Sequence, residues 1–154
     1  MVFGKTKMPV AQTCRTSDKG RINRAKTVSF TFDGKDYQGY EGDTLASALL
    51  ANDQVLVGRS FKYHRPRGIY TCGIEEPNAL VQIINEHNEP NTRATIKRAY
   101  DGINVSSQNR WPSLSFDIGS INNILSPIFS AGFYYKTFMG PKGFWKKIYE
   151  PLIR

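Results

Sequence analysis

The sequence predicts an α+β fold of β-grasp type, in which a mixed sheet wraps over one helix. Three observations predict it. Val28, Phe30 and Phe32 alternate with Ser29 and Thr31, the period of a half-buried strand, and a turn follows at once. Leu45, Ala48 and Leu49 then fall on one helical face. A long polar loop over residues 58–78 leads from there to a β-rich run over 79–84.

Each element has a local reason. Asp33-Gly34 suits a two-residue hairpin turn, because both positions tolerate positive φ. Tyr37 to Tyr40 is the return strand, and Glu41-Gly42 breaks it. Asp43 is placed to cap the helix, accepting amide hydrogen bonds that the first turn leaves open. Asn52-Asp53 ends the helix, and the apolar run Val55–Val57 is expected to return to the sheet. Asn88 to Thr92 reads as a turn-rich boundary, and Thr95 to Ala99 as a further strand.

Three regions follow. Residues 1–25 read as an extended, basic, solvated arm, 26–100 as the β-grasp domain, and 101–154 as an extension. Ser106 to Pro112 is polar, Ile118 to Phe129 moderately apolar, and the tail aromatic: Phe133, Tyr134, Tyr135, Phe138, Phe144, Trp145. A domain this small cannot easily bury so many rings, so the tail is a candidate interface. Lys136, Lys142, Lys146 and Lys147 among the rings leave a membrane-surface segment as the rival reading.

The chain has 154 residues, with 21 Lys plus Arg against 13 Asp plus Glu, a net charge of +8. That balance fits a soluble basic surface, or a negatively charged partner such as nucleic acid, cofactor phosphates or an acidic subunit. The length excludes an additional flavin-binding fold of roughly 150 residues or more. No apolar run approaches the roughly 18 residues of a membrane span. The polar amino terminus lacks the apolar stretch of a secretory signal, which makes the cytoplasm the expected location.

The helix followed by a long loop is where plant-type ferredoxins place their cluster ligands. A two-iron, two-sulfur cluster needs four thiolates or close substitutes. The loop supplies Cys72 alone, and Cys14 is far off in sequence. His64 does not make up the deficit, so Cys72 is expected as a small buried side chain. The same loop carries Arg59, Lys62, His64, Arg65 and Arg67, interleaved with Phe61 and Tyr63. Cations beside aromatics stack on bases and bind phosphates, so Arg59, Lys62, Tyr63, Arg65 and Arg67 are candidates for cofactor contact. Docking on an acidic partner is the preferred role for this loop, with nucleic acid below it. Dinucleotide and phosphate-loop glycine motifs are absent, as are zinc-finger and RNA-recognition signatures. Glu75-Glu76 reads as surface charge, and His87 as an exposed turn residue.

The stretch GRSFKYHRPRGIYTCGIEEPNALV, with EPNTRAT, SQNRWPSL, AGFYYKTFM and FWKKIYEPLIR, resembles the amino-terminal region of heterotetrameric sarcosine oxidase alpha subunits. The resemblance runs from about Arg21 to Arg154, and the Glu75–Asn78 sequence places it beside family members with a cluster-free ferredoxin-like domain. It implies membership in a complex that oxidises sarcosine to glycine and yields hydrogen peroxide. FAD, FMN, NAD and tetrahydrofolate are implied for the complete complex, none bound by this chain alone, and the partners are the remaining alpha-subunit domains and the other subunits. Family alpha subunits are several times longer, so a fragment or a stand-alone split subunit is expected, and no catalytic residue transfers. The alternatives are an electron-transfer ferredoxin domain of a related amine dehydrogenase and a basic nucleic-acid-binding protein.

Overall fold

The alternation in the first apolar run forms strand β1, Asn23–Phe32, and its return forms β2, Lys35–Glu41. Asp33 and Gly34 take φ of 51° and 75°, the left-handed pair that matches the twist of the flanking strands. The structure is a computed structural model that describes residues 12–17, 20–85 and 87–126, together with Gly143 and Lys147. The six aromatic positions proposed as an interface lie outside the described residues.

Helix α1 spans Leu45–Ala51. Leu45, Ala48 and Leu49 are fully buried, as their spacing predicts. The cap is Thr44 rather than Asp43: Thr44 Oγ1 accepts from the Ser47 N–H at 3.2 Å, and Ser47 Oγ accepts from the Thr44 N–H at 3.0 Å. The Asp43 carboxylate is drawn aside into the interior, where it accepts from the Tyr40 N–H and Ser47 Oγ, both at 2.8 Å.

Two short strands, β3 (Gly58–Arg59) and β4 (Pro66–Arg67), pair as a separate ribbon inside the long loop. Val55–Val57 therefore does not rejoin the main sheet. It feeds this ribbon, with the Val57 N–H donating to the Arg67 carbonyl at 3.0 Å. Strand β5 is Leu80–Ile83, β6 is Glu89–Arg93 and β7 is Asn104–Ser107. The main sheet runs β2-β1-β7-β5-β6, with β1 and β7 parallel and the other neighbours antiparallel. This mixed sheet with α1 packed on it is the expected α+β, β-grasp-like architecture.

Three further segments differ from the sequence expectation. The turn-rich stretch at Asn88–Thr92 falls largely within edge strand β6, where Pro90 is tolerated because one side of an edge strand makes no ladder bonds. Thr95–Ala99 is not a strand. The carbonyls of Ala94 and Lys97 accept the N–H groups of Ala46 and Leu45 at 2.9 and 2.8 Å, and so complete the open start of α1. The central strand comes later, at β7, past the residue 100 expected as the boundary.

Phe30, Phe32 and Tyr37 meet the helix residues and Val81, Ile83, Ile103 and Val105 in one core. Within the expected arm, Gln12–Arg15 is held against this body. The Gln12 amide donates to the Gln38 carbonyl at 2.8 Å, the Cys14 N–H to the Ala51 carbonyl at 3.3 Å, and Arg15 grips Asp43 with contacts of 3.1 and 2.6 Å.

Candidate functional site

The basic loop is built around the β3–β4 ribbon. Ser60 closes its tip: its carbonyl accepts the His64 N–H at 3.0 Å and its hydroxyl accepts the Arg65 N–H at 3.0 Å. This turn holds His64 at a φ of 50° and sends its ring toward a strap formed by residues 109–124. The strap contains the cis Trp111–Pro112 peptide, a 3₁₀ turn at Ile118–Ser120 and the short helix α2, Ile121–Ile124.

Asp117 joins the two segments. Its buried carboxylate accepts from the Trp111 N–H at 3.0 Å, the Gly119 N–H at 3.1 Å and His64 Nδ1 at 2.7 Å. Arg59 Nε lies 3.5 Å away, and the Arg59 side chain is 9 % exposed. Burial pushes the Asp117 carboxyl up, but the two backbone donors and His64 outweigh it and hold the group below its ordinary range. Gly119 is required here, since a Cβ at that position would lie 2.4 Å from the His64 ring.

The candidate residues of the basic loop divide accordingly. Arg59 is turned inward, donating to the carbonyls of Leu114 at 3.0 Å and His64 at 2.8 Å. Arg67 donates to Asn78 Oδ1 at 2.9 Å. Lys62, Tyr63 and Arg65 remain together at the surface: the Tyr63 ring has the Lys62 ammonium at 4.9 Å and the Arg65 guanidinium at 4.8 Å from its centre. Arg65 also donates to Asn123 Oδ1 at 2.7 Å, which ties this cationic stack to α2. Beside it the strap exposes Trp111, Phe116, Ile121 and Ile124, the last by 76 %.

The remainder of the long loop, residues 68–79, closes on Glu76. One carboxylate oxygen accepts from the N–H groups of Tyr70 at 2.8 Å and Thr71 at 2.5 Å and from the Thr71 hydroxyl at 3.2 Å. The other accepts from the N–H groups of Asn78 at 2.7 Å and Ala79 at 3.1 Å. Burial acts to raise the Glu76 pKa, yet these donors win and bring it down to about 2. Glu75 is exposed as expected, but Glu76 is 1 % exposed and is not surface charge. Cys72 corrects a further expectation: it is an exposed free thiol rather than a buried one. His87 is exposed in a turn, as its neighbours predicted.

Sequence reasoning missed Glu76 and Asp117. For Asp117 a signal existed, since an Asp two residues before Gly and just ahead of an apolar-periodic run is a helix-cap pattern. For Glu76 no periodicity marks a carboxylate that binds its own loop.

The site and sheet together define a class. The profile of the 2Fe-2S iron-sulfur cluster binding domain family matches residues 25–110, and the chain belongs to that family. Within it, the similarity is to sarcosine oxidase alpha subunits, as the sequence resemblance indicated. The chain is 62 % identical over 141 residues to sarcosine oxidase subunit alpha of Rhizobium meliloti (strain 1021), covering 91 % of this chain and 14 % of that protein. It is 42 % identical over 90 residues to sarcosine oxidase subunit alpha of Corynebacterium sp. (strain U-96), covering 56 % of this chain and 9 % of that one. The chain thus spans about one seventh of the length of the first relative and less of the second. Among solved structures, L-proline dehydrogenase from P. horikoshii is 29 % identical, with a TM-score of 0.47 over 58 % of this chain and 17 % of that chain.

The family implies a two-iron cluster, and the residues here do not fit one. The sequence holds 2 cysteines where four thiolates are needed. Cys72 lies in the loop, whereas Cys14 Sγ lies 3.7 Å from Asp53 Oδ1 just past the end of α1. Among the described residues, no three His, Cys, Asp or Glu side chains are grouped to hold a metal ion. Nor is any helix among them long and apolar enough to cross a membrane.

Proposed function

We propose that this chain is a non-catalytic docking module of a sarcosine oxidase-like flavoenzyme complex. The high identity to a sarcosine oxidase subunit alpha across nine-tenths of the chain carries this reading. In that complex, sarcosine is oxidised to glycine with release of hydrogen peroxide. The chemistry, with its FAD, FMN, NAD and tetrahydrofolate, resides in other domains or subunits. The surface offered to them is the Lys62–Tyr63–Arg65 stack together with the apolar side chains of the strap. A partner face that is partly apolar and acidic at its rim suits both features. A cytoplasmic setting suits the free thiols of Cys14 and Cys72.

Arg65→Glu reverses the charge of the stack, and Ile124→Asp places a charge on the exposed apolar strap. Both variants are expected to keep the circular dichroism of the parent chain and to lose co-purification with the other subunits of the complex. Undiminished co-purification of both would sink the docking role. Electron transfer through a two-iron cluster is the rival that the family profile favours. Iron and acid-labile sulfide in the anaerobically purified chain would establish it.

A further inference from the structure

We propose that the Glu76 carboxylate is a built-in anion that takes the place of the family's cluster as the organiser of the loop. The proposal does not depend on the docking role. An iron–sulfur cluster accepts hydrogen bonds at its sulfurs, so a loop shaped around one turns donors inward. A loop of that shape with no anion would leave its amides buried and unpaired, at a penalty for each.

Here the donors have a partner from within the loop. One Glu76 oxygen takes the N–H groups of Tyr70 and Thr71 at the start of the turn, and the other takes those of Asn78 and Ala79 at its end. One side chain therefore spans the loop mouth as a bound group would. An ionised carboxylate is costly to bury unless its lone pairs are filled, and these four amides with the Thr71 hydroxyl fill them. The backbone around Glu76 is fixed separately. Arg93 Nε donates to the Glu76 carbonyl at 3.2 Å, and Thr95 Oγ1 donates to the Gly73 carbonyl at 2.7 Å. The frame therefore persists when the carboxylate is removed, leaving a cavity sized for a small carboxylate.

The test uses the full chain with Glu76→Gln and Glu76→Gly. Amide hydrogen exchange is read at Tyr70, Thr71, Asn78 and Ala79, with the β1–β2 hairpin as internal reference. Exchange is expected to accelerate on the order of tenfold or more at all four amides in Glu76→Gly and at one of the two pairs in Glu76→Gln, where the carboxamide keeps a single acceptor oxygen, while hairpin amides hold. Sodium formate is expected to restore protection in Glu76→Gly, and sodium chloride at equal ionic strength to leave it low. Should Glu76→Gly fail to fold, the exchange pattern of Glu76→Gln decides alone. Unchanged protection at the four amides in Glu76→Gln overturns the proposal. Anaerobic reconstitution of the parent chain with iron and sulfide supplies the second arm. No stoichiometric visible chromophore is expected, and one that disappears in Cys72→Ser overturns the proposal as well.

Discussion

The two halves of the long loop are each closed by a buried carboxylate, and they are closed in opposite ways. Glu76 binds its own neighbourhood, with every donor within six residues of it in sequence. Asp117 reaches across the chain to His64 and Arg59, 53 and 58 residues away. The first loop is held by neutral amides and is self-contained. The second combines two local amides with the His64 and Arg59 side chains from across the chain, and it is complete only when the strap is docked. A local anion makes a rigid loop, whereas a shared anion makes two segments depend on one another.

Removing the shared anion should break that dependence with the largest effect. Asp117→Ala leaves Arg59 buried without its counter-charge, and we expect a loss of about 3–5 kcal/mol in urea unfolding. Proteolysis of the strap should accelerate in the same variant, while loop 68–79 stays protected. Proteolysis confined to loop 68–79 instead would show that the comparison is drawn the wrong way round.

Acid sharpens the comparison next. The Glu76 pKa falls from 4.5 to about 2 on folding, so its contribution is fully present above pH 4.5 and is lost as pH falls toward 2. The contribution is about 3 kcal/mol at neutral pH, and the acid limb of the stability curve should flatten by that amount in Glu76→Gln. Unfolding curves between pH 2 and 6 measure it.

A smaller perturbation addresses only the strap. Gly119→Ala forces the His64 ring to move, for about 1–3 kcal/mol, and the imidazole NMR signals should report loss of the Asp117 bond. An unshifted His64 spectrum would mean that the strap yields instead of the ring. Smallest of all, Arg65→Ala should cost about 0.5 kcal/mol, the worth of an exposed cation over a ring. Its effect belongs to assembly, so a thermal melt close to that of the parent is the expected result.

Much of the sheet was legible because its signals are local. Phe30, Phe32, Leu45 and Leu49 announce themselves by periods of two and 3.6, and Asp33-Gly34 by its turn chemistry. Strand β7 was not, for a physical reason. Its side chains are Asn, Val, Ser and Ser, and the polar ones are satisfied by residues remote in sequence: Asn104 by Thr31, and Ser107 by Asp33 at 2.6 Å. A central strand whose polar side chains are held by remote partners shows no apolar alternation. Candidate-site residues were legible by type but not by direction. Arg59 and Arg65 look alike in the sequence, and only the position of Leu114 and Asp117 turns one inward.

The segment that completes helix α1 has a consequence in time. The helix is 7 residues long, too short to persist alone, and the carbonyls that finish its first turn come from Ala94 and Lys97. The strand in the middle of the sheet arrives later still, when Thr31 and Phe32 align with Asn104 and Val105. During synthesis the hairpin can zip early, but the rest must wait until residues beyond 100 have emerged, because the bonds that complete α1 and the pairing of β7 with β1 are long in sequence. Such a domain matures in one late step, and a nascent chain halted at residue 90 would present its hairpin and a helix whose Leu45 and Ala46 amides are still open to the folding machinery of the cell.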